Sequence, residues 1–170
     1  MFQKRGEISH DTKVAYDHWI CSELEKIVQE KNCKKVHAYL PFLTEINIYP
    51  LLDRLLQAGI QVICPKTLPQ RQLENRVLTS LDDLEEGIKK TLHPVNKQVY
   101  TGNFDLIIVP GLAFDSQQYR LGYRGGSYDN FLVNHPSAYS LGIFYPFQKV
   151  EKVPVEPHDI ALDAVLFKDF

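Results

Sequence analysis

Cysteine is scarce in this chain and follows no recognisable pattern. The 170 residues hold three cysteines, Cys21, Cys33 and Cys64. They are odd in number, lie far apart and form no C-x-x-C pair, which argues against both a disulfide framework and a zinc ribbon. We therefore expect reduced, mostly buried thiols, as is typical of a cytoplasmic protein.

Long apolar runs and an excess of one charge are also missing. The longest apolar run, residues 106–114, is interrupted by Pro110 and Gly111 and is too short to cross a bilayer. The polar N-terminus does not resemble a signal peptide. A formal net charge of -2 argues against nucleic acid or a membrane as the main partner.

The composition is that of an ordinary globular domain. Hydrophobic residues make up 44% of the chain and charged residues 24%, which argues against disorder. A length of 170 residues fits one domain. A domain of this size buries roughly two thirds of the surface that its unfolded chain exposes. No repeat, low-complexity tract or linker divides the chain, so we expect a single domain over residues 1–170.

The first segment of the chain predicts a long helix and a strand. Apolar residues recur at helical spacing over residues 10–31, and Ser9 or Asp11 is suited to cap the helix start. Residues 36–40 predict a strand that ends before Pro41.

A second helix has the clearest apolar stripe in the chain, over residues 48–56. Asn47 is predicted to be its N-cap and Gly59 its C-terminal stop. A short strand over residues 61–64 is predicted to end at Pro65. The strand–helix–strand order favours a parallel pair with a right-handed crossover.

The middle of the chain gives weaker patterns. Residues 66–79 predict either an extended arm or a hairpin. Ser80 with Asp83 resembles a capping box for a short helix through Ile88. Residues 89–103 predict a surface loop.

The second half alternates strands with a helix. Residues 106–109 form a β-branched apolar run that suits a central strand buried on both faces. A helix is predicted over residues 126–135, and further strands over residues 141–145 and 164–167. This alternation predicts a three-layer α/β/α domain.

The segment with the most chemistry is V-P-G-L-A-F-D-S-Q-Q-Y-R-L-G-Y-R-G-G-S-Y-D-N-F-L, residues 109–132. A buried strand ends at Pro110, and a loop rich in glycine and arginine leads to a helix start. Such strand ends hold ligands in open α/β sheets, glycines let backbone N–H groups approach phosphate, and arginine binds phosphate through two hydrogen bonds. Neither G-K-[ST] nor G-x-G-x-x-G is present, so spacing alone places a phosphate site only slightly ahead of a plain glycine loop.

Three carboxylates each allow two interpretations. Asp129 either stabilises the helix start or binds Mg²⁺. Asp159, in the run E-P-H-D, either caps a turn, which spacing alone favours, or binds Mg²⁺. Glu45 is either a first-turn helix charge, again favoured by spacing alone, or an acceptor for the N–H groups of a heterocycle. The histidines show no metal-ligand spacing, and no G-x-S-x-G run indicates a hydrolase.

Together and in this order, these segments resemble the 5-formyltetrahydrofolate cyclo-ligase (methenyltetrahydrofolate synthetase) family. The likeness covers nearly the whole chain. Its most specific parts are R-L-G-Y at 120–123 with G-G and Y-D at 125–129, and P-V-E-P-H-D at 154–159. Tyr39 and Glu45 lie in the third matching segment. The resemblance implies a mainly parallel sheet of the NagB/RpiA/CoA-transferase-like type.

The resemblance also implies a reaction. Enzymes of the family use ATP and Mg²⁺ to convert 5-formyltetrahydrofolate to 5,10-methenyltetrahydrofolate, releasing ADP and phosphate. Phosphoryl transfer turns the formyl oxygen into a leaving group, and N10 then closes the ring. The protein contributes positioning and charge stabilisation. Only small-molecule partners are implied, and a cytoplasmic monomer is expected.

The resemblance assigns roles to residues in four groups. Arg120 and Tyr128 are the implied catalytic residues. Asp129 and Asp159 are the implied Mg²⁺ ligands. Folate binding is assigned to Glu45, Gly125, Gly126 and Tyr128. ATP binding is assigned to Arg120, Leu121, Gly122, Tyr123, Arg124, Gly125, Gly126, Ser127 and Tyr128.

Four departures from the family pattern leave the activity open. The family usually opens with a helix carrying K-x-x-L-R, whereas residues 4–9 match the segment after it, so we expect that helix to be missing or truncated. Arg124 stands in place of a glycine, Ser127 replaces the first of two tyrosines, and residues 91–94 replace an acidic E-P pair. An active cyclo-ligase is the leading hypothesis. A folate- or nucleotide-binding homologue without turnover is the alternative, and a sugar-phosphate or CoA-handling enzyme is the third.

Overall fold

The computed structural model describes residues 1–42, 44–70, 72–122 and 127–170. Its helices are α1 (Phe2–Gly6), α2 (His10–Glu30), α3 (Tyr49–Gln57) and α4 (Ser127–Val133). Its strands are β1 (Lys35–His37), β2 (Gln61–Leu68), β3 (Gln72–Leu78), β4 (Leu84–Glu86), β5 (Leu92–Pro94), β6 (Leu106–Val109), β7 (Ala113–Phe114), β8 (Arg120–Leu121), β9 (Tyr139–Ile143) and β10 (Ala164–Leu166).

A six-stranded sheet in the order β10-β9-β6-β1-β2-β3 forms the centre of the molecule. Strands β10, β9, β6, β1 and β2 run parallel to one another, and β3 is antiparallel to β2. The prediction of a mixed α/β domain with a mainly parallel sheet is confirmed. The pairs β4–β5 and β7–β8 form two small antiparallel sheets beside it.

Both faces of the sheet are covered. In β6, Leu106 and Ile108 belong to the core that includes residues of α2 and α3, while Ile107 and Val109 belong to a second core with Phe131 of α4. All four β6 side chains are buried. This alternation is what a strand produces when helices pack on each side, and each buried aliphatic side chain contributes roughly 1.5–3 kcal/mol.

The two long helices form where periodicity predicts them. Ser9 caps α2, since its Oγ accepts a hydrogen bond of 3.2 Å from the N–H of Thr12. Helix α3 has Ile48 rather than Asn47 as its N-cap, because the Asn47 side chain instead accepts from the N–H of Tyr49. Among the described residues, no helix is both long and apolar enough to cross a membrane.

Strand β2 continues through Pro65, so the prediction that it ends there is wrong. The carbonyl of Ile63 accepts from the N–H of Ala38. Pro65, two residues further on, therefore turns its nitrogen toward the same side of the strand, where β1 has already ended. The missing N–H of proline therefore removes no hydrogen bond between β2 and β1. Strand β2 continues beyond Pro65 as one arm of a hairpin with β3.

The capping box predicted at Ser80 and Asp83 does not start a helix. The Ser80 carbonyl accepts from the N–H of Asp83, which closes a turn. The following residues form β4, which pairs with β5. Strand β5 also replaces part of the predicted loop over 89–103, and its His93 is buried. Pairing of β4 with β5, which follows after a short turn, has overridden the local helix signal here.

Candidate functional site

The central strand β6 leads directly into the segment singled out by the sequence. After Val109 the chain turns at Pro110, and β7 pairs with β8 in a short hairpin that sets Phe114 opposite Arg120. Strand β6 has β1 on one side and β9 on the other. Arg120 therefore lies beyond the carboxyl end of a central parallel strand, the edge where ligands bind in such sheets.

The Arg120 side chain is held in a defined position. Its Nη1 donates a 3.1 Å hydrogen bond to the Pro110 carbonyl, and its guanidinium carbon lies 5.2 Å from the centre of the Tyr128 ring. A Cβ built on Gly122 would lie only 2.6 Å from Arg120 Nη1. A side chain at position 122 would therefore force the guanidinium to shift, and glycine leaves room for it in this position.

Beneath Tyr128 lies a buried histidine that the sequence analysis did not select. His37 ends β1, is 0% exposed, and has its Nε2 2.9 Å from Asn75 Oδ1. Its ring centre lies 4.4 Å from that of Phe131 and 6.2 Å from that of Tyr128. Burial lowers the pKa of His37 from 6.5 to about 3, so the ring is neutral. Within the described stretches its Nδ1 has no hydrogen-bond partner.

The only sequence signal for His37 is a polar residue inside an otherwise apolar strand, V-H-A-Y-L. Such a residue in a strand of a three-layer fold is expected to be buried and paired. The partner on β3 is 38 positions away, so the pair becomes visible only in three dimensions.

Asp129 lies in the first turn of α4 and is half-buried. Its carboxylate makes no hydrogen bond or ion pair with another described residue. This position fits both interpretations of Asp129, since a carboxylate there stabilises the helix start and also retains its oxygens for a cation.

Asp159 closes a turn, as spacing alone favoured. Its Oδ2 accepts a 2.8 Å hydrogen bond from the N–H of Glu156, and its Oδ1 lies 3.5 Å from His158 Nε2. The side chain is 22% exposed, so the carboxylate is still open to solvent on one side. Turn closure and cation binding use different lone pairs and are compatible.

The chain on either side of Asp159 is bonded to the β7–β8 hairpin. The N–H of Val150 donates to the carbonyl of Phe114 at 2.8 Å, and the N–H of Leu162 donates to the carbonyl of Gln118 at 2.9 Å. The structure thus joins the two most specific sequence segments, the one with Arg120 and the one with Asp159, in one region of the molecule.

Glu45 closes a turn rather than starting a helix. Its Oε1 accepts a 2.9 Å hydrogen bond from the N–H of Phe42, and α3 begins only at Tyr49. The interpretation of Glu45 as a first-turn helix charge is therefore wrong. Lys13 of α2 donates to the Glu45 carbonyl at 3.1 Å and to Asp17 at 2.6 Å, which fixes the turn against α2.

Part of the predicted ATP-binding loop lies outside the described residues, namely Tyr123, Arg124, Gly125 and Gly126. Of the other assigned residues, Leu121 is exposed in β8 and Ser127 begins α4.

The described residues contain no group of three or more histidine, cysteine, aspartate or glutamate side chains placed to hold a metal. Mg²⁺ usually takes only one or two protein carboxylates, with phosphate and water as its other ligands. Asp129 and Asp159 have this donor chemistry, so the residues present fit a Mg²⁺–nucleotide site.

Comparison with known proteins gives one consistent result. The model of the 5-formyltetrahydrofolate cyclo-ligase family matches residues 1–168. The 5-formyltetrahydrofolate cyclo-ligase of Mus musculus is 28% identical over 156 residues, covering 83% of this chain and 76% of that protein. The Escherichia coli K12 protein of the same name is 32% identical over 139 residues, covering 77% and 76%.

Solved structures agree with the sequence matches. The NMR structure of Aquifex aeolicus 5,10-methenyltetrahydrofolate synthetase superposes with a TM-score of 0.82 at 29% identity, covering 97% of this chain and 84% of that one. The Mycoplasma pneumoniae synthetase superposes with a TM-score of 0.74 at 22% identity, covering 96% and 91%, and supports the fold alone.

Proposed function

The chain belongs to the 5-formyltetrahydrofolate cyclo-ligase family, and on that premise we propose that it converts 5-formyltetrahydrofolate to 5,10-methenyltetrahydrofolate at the expense of ATP. The observation that carries the proposal is the position of Arg120. This side chain lies beyond the carboxyl end of the central strand β6, on a hairpin bonded to the chain on either side of Asp159. A cation beside a carboxylate-bearing turn is suited to a Mg²⁺–triphosphate.

The chemistry requires activation of a poor leaving group. The formyl oxygen attacks the γ-phosphorus of ATP, a new P–O bond forms, and the bond to the β-phosphate oxygen breaks to give ADP. The N10 lone pair then attacks the formyl carbon, and N10 releases its proton to solvent. Loss of the phosphorylated oxygen as phosphate leaves the conjugated methenyl cation, so no protein side chain needs to act as a covalent nucleophile.

Arg120 and Tyr128 are the proposed catalytic residues. Arg120 would stabilise charge on the transferring phosphoryl group, since arginine N–H donors match phosphate oxygens. Tyr128 packs against the guanidinium and would orient it. Leu121, Gly122, Tyr123, Arg124, Gly125, Gly126 and Ser127 complete the proposed ATP-binding segment.

Glu45, with Gly125, Gly126 and Tyr128, is proposed to bind the folate. The Glu45 turn supports this assignment, because the bonds from Phe42 and Lys13 preset its backbone before any ligand arrives. A carboxylate on a preset turn is suited to accept N–H groups from a planar heterocycle. The NagB/RpiA-like fold type, the monomeric state and the cytoplasmic location stay predictions.

Asp129 and Asp159 would hold Mg²⁺, which supplies charge neutralisation to the triphosphate when bound. Changing Asp129 to Asn is expected to raise the Mg²⁺ concentration needed for half-maximal activity, because the amide lacks the carboxylate's charge. Titration of activity with MgCl₂ at fixed ATP measures this. A titration curve like that of the parent enzyme would mean that Asp129 stabilises the start of α4 and does not bind Mg²⁺.

The test of the function is direct. Protein mixed with 5-formyltetrahydrofolate and Mg–ATP should build the methenyl absorbance and release ADP, and neither signal should appear when ATP is omitted. A folded protein that binds ATP or the folate by calorimetry without releasing ADP would refute turnover and establish the binding homologue instead.

A further inference from the structure

Two side chains of the β7–β8 hairpin, Asp115 and Gln118, bind the chain on both sides of Asp159. We infer that they are positioning residues, which fix the distance between Arg120 and Asp159 and thereby affect how Mg–ATP is bound. This inference rests on the proposed roles of Arg120 and Asp159. It adds two residues that no sequence pattern assigned to the reaction.

Asp115 connects the hairpin to the segment that precedes Asp159. It is 4% exposed, and its Oδ1 accepts hydrogen bonds from the N–H groups of Gln117 at 3.0 Å and Tyr119 at 3.2 Å. Its Oδ2 accepts from the N–H of Val153 at 3.0 Å. One oxygen thus shapes the hairpin turn, while the other reaches across to a segment 38 residues away. Bonds to an ionised carboxylate are stronger than neutral ones.

Gln118 connects the same turn to the segment that follows Asp159. With the amide assigned so that its nitrogen faces the two acceptors, the side chain donates to the carbonyl of Leu162 at 2.8 Å and to that of Asp163 at 3.2 Å. Its own carbonyl accepts from the N–H of Leu162 at 2.9 Å. Gln118 makes these bonds from a left-handed backbone, with φ of 69°. A side chain is disfavoured in that conformation, so strain here is offset by what the amide binds.

The two connections act on one loop from opposite ends. Asp159 lies between Val153 and Leu162, and Arg120 follows the turn that Asp115 and Gln118 build. If either side-chain connection is lost, that end of the loop keeps only its backbone bond to the hairpin, from Val150 to Phe114 or from Leu162 to Gln118. Misplacement of a phosphate-binding group by about 1 Å can reduce the rate by about 100-fold.

Changing Asp115 to Asn isolates the connection to Val153. The amide oxygen can keep both turn bonds, while the amide nitrogen faces the Val153 N–H as donor against donor. We expect kcat/KM for ATP to fall by about 10- to 100-fold. The Mg²⁺ requirement should rise, and KM for the folate should change little. A residue with a purely structural role would not separate the two substrates in this way.

Asp105 provides a control for removal of a carboxylate charge far from Arg120. Its carboxylate also accepts backbone N–H groups from a distant segment, those of Lys34 at 2.8 Å and Lys35 at 3.0 Å. It lies at the amino end of β6, the opposite edge of the sheet from Arg120. Both bonds go to Oδ2, so the amide oxygen of Asp105→Asn can keep them, and both the melting temperature and kcat/KM for ATP should stay near those of the parent enzyme.

Gln118→Gly separates stability from positioning. Glycine adopts the positive φ freely, so the melting temperature should not fall, whereas the bonds from the amide to Leu162 and Asp163 are lost. We expect the same rise in Mg²⁺ requirement and fall in kcat/KM for ATP as with Asp115→Asn.

The outcomes distinguish the two proposals. If the parent enzyme turns over and both hairpin variants match Asp105→Asn in kcat/KM for ATP and in Mg²⁺ titration, the positioning role is refuted and the function stands. If the parent protein binds Mg–ATP without turnover, calorimetry measures the Mg–ATP affinity of the same variants. An affinity equal to that of the parent protein refutes the positioning role. A parent protein that neither turns over nor binds Mg–ATP overturns both.

Discussion

At the scale of single residues, Arg120 shows how contacts within the protein restrain a flexible side chain. Its bond to the Pro110 carbonyl and its contact with Tyr128 limit the rotamers of a side chain that is flexible in solution. A guanidinium carries several N–H donors in one plane, so it can bind a carbonyl and an oxyanion at the same time. Preorganisation of this kind lowers the entropy lost on binding.

Changing Arg120 to Ala should weaken Mg–ATP binding by about 10- to 100-fold, the range expected when a charged hydrogen bond is lost. Calorimetry measures the affinity, and far-ultraviolet circular dichroism checks the fold. Arg54→Ala is the control, because Arg54 is paired with Glu25 in a surface contact between α2 and α3. Equal ATP affinity of Arg120→Ala and the parent protein would remove Arg120 from the site.

His37 gives a prediction about pH. Its folded pKa of about 3 lies below its ordinary value of 6.5, so between these pH values the unfolded chain binds the proton and the folded one does not. His37 therefore lowers stability progressively as pH falls below 6.5, by up to about 1.4 kcal/mol per pH unit.

Urea unfolding at pH 7 and pH 5 tests this, with His37→Gln as the comparison because glutamine does not titrate but can still donate to Asn75. The parent protein should lose more free energy of unfolding on acidification than the variant. Parallel losses would mean that His37 is not buried in its neutral form.

At the scale of elements, the ends of helices depend on single backbone conformations. Gly59 follows α3 with φ of 77°, the left-handed conformation that commonly stops a helix. A Cβ added there would meet no atom within 4 Å, so any cost of a side chain is conformational rather than steric.

Gly59→Ala is expected to reduce the free energy of unfolding by about 1 kcal/mol. Gly6→Ala is the matched control, since Gly6 also has open space around it but no positive φ, and it should leave stability unchanged or slightly raised. Thermal or urea unfolding compares the two. A Gly59 variant no less stable than the Gly6 variant would contradict the conformational explanation.

How far the sequence predicts an element depends on where its hydrogen bonds go. Helix α2 and strand β6 were predicted well, because their signals, helical periodicity and a continuous apolar run, lie within the element itself. Strand β4 was predicted as helix because its partner β5 lies beyond an intervening turn, and no local pattern encodes that pairing. Strand β2 was predicted too short because Pro65 is tolerated only where β1 has ended.

The candidate site likewise contains features that the sequence predicts and features that only the structure reveals. The place of Arg120 at a strand end follows from chain order, since the apolar run before it could be recognised as a central strand. The bonds of Asp115 to Val153 and of His37 to Asn75 span 38 residues each. These two bonds can be recognised only in the tertiary structure. In the sequence, each of the bonded residues looks like an ordinary loop or strand residue.

At the scale of the whole molecule, Tyr16 connects three distant parts of the chain. From α2 its hydroxyl donates to the carbonyl of Phe144, just after β9, and accepts from the N–H of Lys168 at 3.3 Å. Burial raises the pKa of Tyr16 to about 12, so the hydroxyl keeps its proton at physiological pH.

Tyr16→Phe should therefore cost about 1–3 kcal/mol, because a buried carbonyl loses its donor. Tyr139→Phe is the control, since the Tyr139 hydroxyl bonds to no other described residue and its ring contact with Lys31 survives the change. Urea unfolding gives the difference. A cost for Tyr16→Phe no larger than for Tyr139→Phe would show that the hydroxyl does not join these segments.

The order of strands in the sheet affects how the chain folds during synthesis. Strands β1, β2 and β3 are available early on the ribosome, but the other neighbour of β1 is β6, whose flanking Asp105 follows Lys34 by 71 residues. Strand β10 and the carbonyls that Gln118 binds follow β6 and β9 in the chain. Until β6 has been synthesised, the nascent chain therefore exposes an unpaired apolar edge on β1, the kind of edge that favours aggregation during folding.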